Sequence, residues 1–180
     1  LAEMYINMIS YKLKDKPYFI DKYPFNFLHL GLLVKAFPHA KFIYLHRHPM
    51  DACFAMYKQS YFKFAYCLND LSKYYIAHNK LMLHWRELLG ERIVQVEYEN
   101  IVKDPDKHIR QLFNQLNIPF ESECLRFFES SKPSATASTL QVRRPIHTKS
   151  INKWVHYAHH LKPLKDALKQ HGIDVTPTNI

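Results

Sequence analysis

A chain of 180 residues, 47% hydrophobic and 23% charged, can bury one domain core, which argues against disorder and against a coiled coil. Its formal charge of +9 calls for an anionic partner: nucleic acid, a membrane surface or a phosphorylated small molecule. The basic residues are spread along the chain without a Lys/Arg block, which disfavours nucleic acid and favours a phosphate-rich ligand.

Apolar positions at Met4, Ile6, Met8, Ile9 and Leu13 fit a helix, and Pro17-Tyr18-Phe19-Ile20 reads as a short buried strand. Pro24 is expected to open a helix running to about Ala36. Residues 41–46 form a β-rich apolar run of the kind that parallel sheets cover on both faces. Pro49 starts another helix, and an amphipathic segment from about Asp70 to Leu88 leads to a strand over residues 92–97. This alternation predicts a three-layer α/β sandwich with a parallel sheet, whose ligands gather at the carboxyl ends of the strands. Helices are expected over residues 106–116 and 122–129, then a Ser/Thr/Ala/Pro-rich loop over 130–145. Helical patterning returns near Ser150, and the tail beyond Gly172 reads as frayed.

No internal repeat or shift of composition divides the chain, so residues 1–180 read as one domain. The apolar runs at residues 42–45 and 76–83 are too short, or too interrupted by His78 and Lys80, to cross a bilayer. Cys53, Cys67 and Cys124 are odd in number and widely spaced, and so read as buried thiols in a reducing, cytoplasmic compartment. Leu1 falls inside a helical pattern, so the natural chain is expected to continue upstream.

Four constellations could carry chemistry. In Asp21-Lys22-Tyr23-Pro24-Phe25-Asn26 a lysine follows a predicted strand, where it could stabilise an anionic leaving group; alternatively Asp21 caps the helix and Lys22 is a solvated loop residue. In His46-Arg47-His48-Pro49-Met50-Asp51 an arginine leaves a strand just before a helix, a setting suited to phosphate. Its alternative is an ion pair with Asp51. Tyr98 follows the second strand and could donate to a ligand or simply start a helix. Residues 136–145, T-A-S-T-L-Q-V-R-R-P, combine hydroxyls, an amide and two guanidiniums that could close over an anionic nucleotide, or form a polar linker.

In order, the segments D-K-x-P-x-N, F-P-x-A-K-x-I-x-x-x-R-H-P-x-D-x-C, Y-E-N-I-V-x-D-P, T-A-S-x-x-Q-V-R-x-P and S-x-x-K-W resemble the sulfotransferases associated with tetratricopeptide repeats. Those are similar in turn to the tyrosylprotein sulfotransferases. The resemblance runs from about Tyr18 to Leu168 and implies a fold related to P-loop nucleotide kinases. It also implies 3′-phosphoadenylyl sulfate as donor, with no metal. The acceptor it implies is a hydroxyl or phenol, on a peptide or a carbohydrate, with a repeat region upstream. By the same resemblance Lys22 and Ser138 act on the bridging oxygen of the leaving nucleotide, and Arg47 binds the 3′-phosphate. Tyr98, Gln141, Val142, Arg143, Arg144 and Lys153 complete the nucleotide pocket.

Two departures accompany the resemblance. Ala55 stands where the pattern expects a serine. The Gly-containing loop that grips the 5′-phosphosulfate has no counterpart, since the only glycines are Gly31, Gly90 and Gly172. The first βα unit, and with it the general base, is therefore expected to lie outside these residues, leaving the segment inactive by itself. The alternative is a non-enzymatic nucleotide-binding or protein-interaction remnant of the fold.

Overall fold

The computed structural model describes residues 1–13, 16–59, 61–130 and 143–179. Two parallel strands, β1 (Phe42–His46) and β2 (Ile93–Glu97), form the sheet, in register from Phe42 opposite Ile93 to His46 opposite Glu97. Before them come α1 (Ala2–Leu13), a 3-10 turn (Asn26–His29) and α2 (Leu30–Ala36). The crossover between the strands carries α3 (Pro49–Gln59) and the long α4 (Leu68–Leu89). After β2 follow α5 (Tyr98–Lys103), α6 (Pro105–Leu116), 3-10 segments at Ser122–Glu129 and Lys153–Tyr157, and α7 (Lys162–Gln170). The fold is mixed α/β with a small parallel sheet and mostly helices, in keeping with the expected class.

Local chemistry explains most boundaries. Asp104 accepts from the Lys107 amide at the start of α6, Pro105 follows at a position that needs no N–H, and Asn117 ends the helix at φ 56°. Gly90 ends α4 at φ 51°, a conformation costly for a residue with a Cβ. Gly31 serves packing instead: a Cβ there would lie 3.1 Å from the Trp85 ring, so its absence lets α2 approach α4. The Trp85 indole N–H then donates to the Phe27 carbonyl at 2.9 Å.

The main core joins Met50, Cys53 and Phe54 of α3 to Leu71 and Tyr75 of α4, and to Trp154, Leu161, Leu164 and Leu168 near the carboxyl end. A smaller cluster of Leu30, Met82 and Ile93 lies under the sheet, with Phe27, Phe42, Tyr44 and Trp85 against it. Among the described residues no helix is long and apolar enough to cross a membrane.

Several expectations are corrected. Residues 17–20 are not a strand: Ile20 is 87% exposed, and among the described residues β1 pairs only with β2, so this segment has no ladder to join. Pro24 lies in a turn, not at a helix start. The Asn26 amide closes that turn on the Tyr23 carbonyl, and the α-helix begins only at Leu30. Coverage on both faces holds for β2, where Ile93, Val94 and Val96 are buried, but not for β1, whose Ile43 and Leu45 are 46% and 55% exposed. The tail is docked rather than frayed, because Ile173 and Val175 alternate into the main core. Of the cysteines only Cys53 is buried, with its thiol pKa pushed up by that burial; Cys67 is exposed and Cys124 half-buried.

Candidate functional site

The parallel register sets up the site. Because His46 lies opposite Glu97, the next residues, Arg47 and Tyr98, leave the sheet side by side at its carboxyl edge. The Arg47 guanidinium carbon sits 4.7 Å from the centroid of the Tyr98 ring, a cation–π distance that holds the fork in one orientation. Its Nη2 donates to the Ser150 carbonyl at 2.9 Å. Its Nε is buried and has no hydrogen-bond partner among the described residues. A buried donor without a partner costs free energy unless a ligand supplies the acceptor, and a phosphate oxygen is a fitting one.

The alternative pairing of Arg47 with Asp51 does not occur. Asp51, 1% exposed in the first turn of α3, accepts from the backbone amides of Asn152 at 2.6 Å and Trp154 at 3.1 Å. Those two amides flank Lys153, so Asp51 fixes the backbone from which Lys153 projects. Asp51→Asn should keep the volume while turning one acceptor into a donor that faces an N–H. The expected loss is about 1–3 kcal/mol of folding stability, read by urea denaturation.

A third cation completes the cluster. Lys58, on α3, has its pKa lowered first by partial burial and then by the charges of Lys153 and Arg47, with Asp51 opposing. Its ammonium also lies 4.8 Å from the Phe54 ring centroid. Lys58 thus adds a third positive charge at this end of the fold, with Asp51 as the opposing carboxylate. Sequence reasoning missed Lys58. The available signal was helical spacing: Lys58 shares a face with Asp51 two turns earlier and with Ala55 one turn earlier, where the serine is lacking.

Glu99 and His48 brace the same corner, and neither was singled out in the sequence. The buried Glu99 carboxylate accepts from the His48 amide at 2.9 Å, tying the β1–α3 junction to α5. The His48 ring stacks on Trp154 at 5.8 Å with a 6° interplanar angle, and its Nε2 meets the Thr176 carbonyl at 2.9 Å. On the sheet itself His46 is not deeply buried. Its Nδ1 meets Glu97 Oε2 at 2.7 Å, with the side chains 27% and 37% exposed. Burial alone would raise the Glu97 pKa, but hydrogen bonds from Gln95 and His46 and the charges of His46 and Arg86 outweigh it and hold it below the usual range.

Other predicted site residues lie on exposed segments or outside the described residues. Lys22 is exposed, on the segment between α1 and the 3-10 turn at Asn26–His29. Asp21 does not cap a helix: its carboxylate accepts from the Tyr5 hydroxyl and from Nδ2 of the Asn26 side chain, the latter at 2.9 Å. Arg143 and Arg144 are exposed where the chain returns toward Ser150. Ser138, Gln141 and Val142 lie outside the described residues.

With a parallel sheet and a cationic cluster at its carboxyl edge established, comparison with known proteins identifies the class. Residues 1–122 match the model of the sulfotransferase family, and the chain belongs to that family. Among its relatives are an uncharacterized protein of Aquifex aeolicus, 30% identical over 175 residues, and protein-tyrosine sulfotransferase 1 of Danio rerio, 30% identical over 155 residues. A Drosophila melanogaster protein-tyrosine sulfotransferase is 22% identical over 173 residues. These alignments cover 94%, 77% and 86% of this chain but only 23%, 42% and 33% of the relatives, so the chain spans less than half their length. The family match includes Lys22, Arg47 and Tyr98 and ends before Lys153, whose backbone is placed by the Asp51 hydrogen bonds on either side of it.

Proposed function

We propose that this chain carries the 3′-phosphate side of the donor site of a sulfotransferase that uses 3′-phosphoadenylyl sulfate. The observation that carries the reading is the Arg47 guanidinium, held on Tyr98 with its buried Nε unpartnered. Arg47 offers a directional fork to the 3′-phosphate, and Lys58 and Lys153 would add charge at its rim. Arg143, Arg144, Gln141 and Val142 would close over the nucleotide from the connecting segment.

The reaction is in-line transfer of a sulfuryl group. The bond from sulfur to the bridging phosphate oxygen breaks, a bond from sulfur to the acceptor oxygen forms, and the acceptor proton passes to a base. Negative charge gathers on the bridging oxygen as that bond breaks, and Lys22, with Ser138, would stabilise it there. The relatives named protein-tyrosine sulfotransferases favour a phenolic acceptor on a protein. These 180 residues hold no Gly-rich loop for the 5′-phosphosulfate, so the rest of the donor site would come from further sequence of the natural protein.

The test is transfer of radiolabelled sulfate from the donor by the full-length natural protein, offered a tyrosyl peptide, a simple phenol and a sugar. Labelling of the peptide or phenol is expected. Tight nucleotide binding with no labelling of any acceptor would instead establish the non-enzymatic nucleotide-binding alternative.

A further inference from the structure

The segment over residues 173–179 contacts the chain neighbours of both Arg47 and Lys153. Ile173 and Val175 anchor it in the main core. Beyond them the Asn152 side chain pairs twice with Thr178, its Nδ2 donating to the Thr178 carbonyl at 2.7 Å and its Oδ1 accepting from the Thr178 amide at 2.9 Å. The Thr176 carbonyl meets Nε2 of His48 at 2.9 Å, and Lys103 donates to the Asn179 carbonyl. Asn152 precedes Lys153, and His48 follows Arg47.

These contacts form a closed frame. Asn152 is held from below through its backbone N–H on Asp51, and from outside through its amide on Thr178. It sits at φ 56°, ψ 18°, a left-handed conformation that asparagine tolerates better than most residues. Two residues earlier, the Ser150 carbonyl receives Arg47. The frame thus fixes the spacing between Arg47 and Lys153 through one loop, and the tail is the outer side of that frame.

We infer that residues 176–179 act as a strap whose docking positions Arg47 and Lys153 for an anion, with Asn152 as the positioning residue that couples the two. The inference rests on the 3′-phosphate reading given above. A handful of hydrogen bonds on an exposed segment can open without unfolding the core, because stability is locally graded. Binding linkage is reciprocal, so a strap that raises nucleotide affinity when docked is itself held down by bound nucleotide by the same factor. A purely structural tail shows no such reciprocity.

The test uses the whole chain and two variants. Asn152→Gly keeps the left-handed backbone accessible while removing the amide that holds Thr178. Deletion of residues 176–180 removes the strap but leaves Ile173 and Val175 in the core, and it serves if the glycine variant folds poorly. Each variant is expected to bind adenosine 3′,5′-bisphosphate about 5- to 20-fold more weakly, within the usual span of couplings, with affinity for adenosine 5′-monophosphate nearly unchanged. In the unmutated protein, adenosine 3′,5′-bisphosphate should slow hydrogen exchange of the Thr178 amide by a matching factor. Unchanged bisphosphate affinity in variants whose strap is released would overturn the inference while leaving the 3′-phosphate site in place. An unmutated protein with no preference for the 3′-phosphate would overturn the site and the strap together.

Discussion

Replacing Arg47 by alanine is expected to weaken binding of adenosine 3′,5′-bisphosphate by roughly 10- to 100-fold, as befits loss of a charge-assisted hydrogen bond of about 1.5–3 kcal/mol. Affinity for adenosine 5′-monophosphate should change little, because the contact proposed for Arg47 is with the extra phosphate alone. The guanidinium also braces Ser150 and covers Tyr98, so some destabilisation accompanies the change. Arg47→Lys separates the two effects. It retains charge but loses the planar fork, and it should recover only part of the bisphosphate affinity. Calorimetry with both nucleotides on each variant reads the result, and equal losses for the two ligands would mark Arg47 as structural.

Lys22→Ala should act on a different quantity. Charge builds on the bridging oxygen only as the sulfur–oxygen bond breaks, so a cation aimed at that oxygen contributes more in the transition state than in the bound donor. Turnover in the full-length protein is expected to fall about 10²–10³-fold, the usual effect of removing one donor of this kind. Donor KM should stay nearly constant, and so should thermal stability, since Lys22 is exposed and supports no packing. A raised donor KM at unchanged turnover would reassign Lys22 to binding alone.

Much of the frame was legible because local chemistry and global position agree there. The apolar run at residues 41–46 and the Pro49 start each encode their element by themselves. The grouping of Arg47, Tyr98 and Lys153 was legible only in part. Each follows or flanks a readable element, but their adjacency depends on a parallel register and on the Asp51 bonds, both set by tertiary structure.

What failed has a common cause, since each failure depends on partners distant in sequence. Residues 17–20 have strand composition, but a strand forms only against a neighbour. Glu99 looks like a surface acid of a helix start, yet it is buried because the His48 amide satisfies it. Ile173 and Val175 are two apolar residues in a polar tail, too few for periodicity, and only the space beside Trp154 and Leu168 gives them a place. Lys58 is a single lysine on a helix, and the charges that act on it, from Lys153 and Arg47, come from far along the chain or from another element.

The central claim is that the corner formed by Arg47, Tyr98, Lys58 and Lys153 recognises a 3′-phosphate. Isothermal titration of the unmutated protein with adenosine 3′,5′-bisphosphate and with adenosine 5′-monophosphate measures this directly, repeated at two salt concentrations because exposed charges are screened. The expected result is a preference for the bisphosphate of about 10-fold or more, shrinking but persisting at the higher salt, since the buried Nε contact is screened less than the lysines. Equal affinities for the two nucleotides would contradict the account.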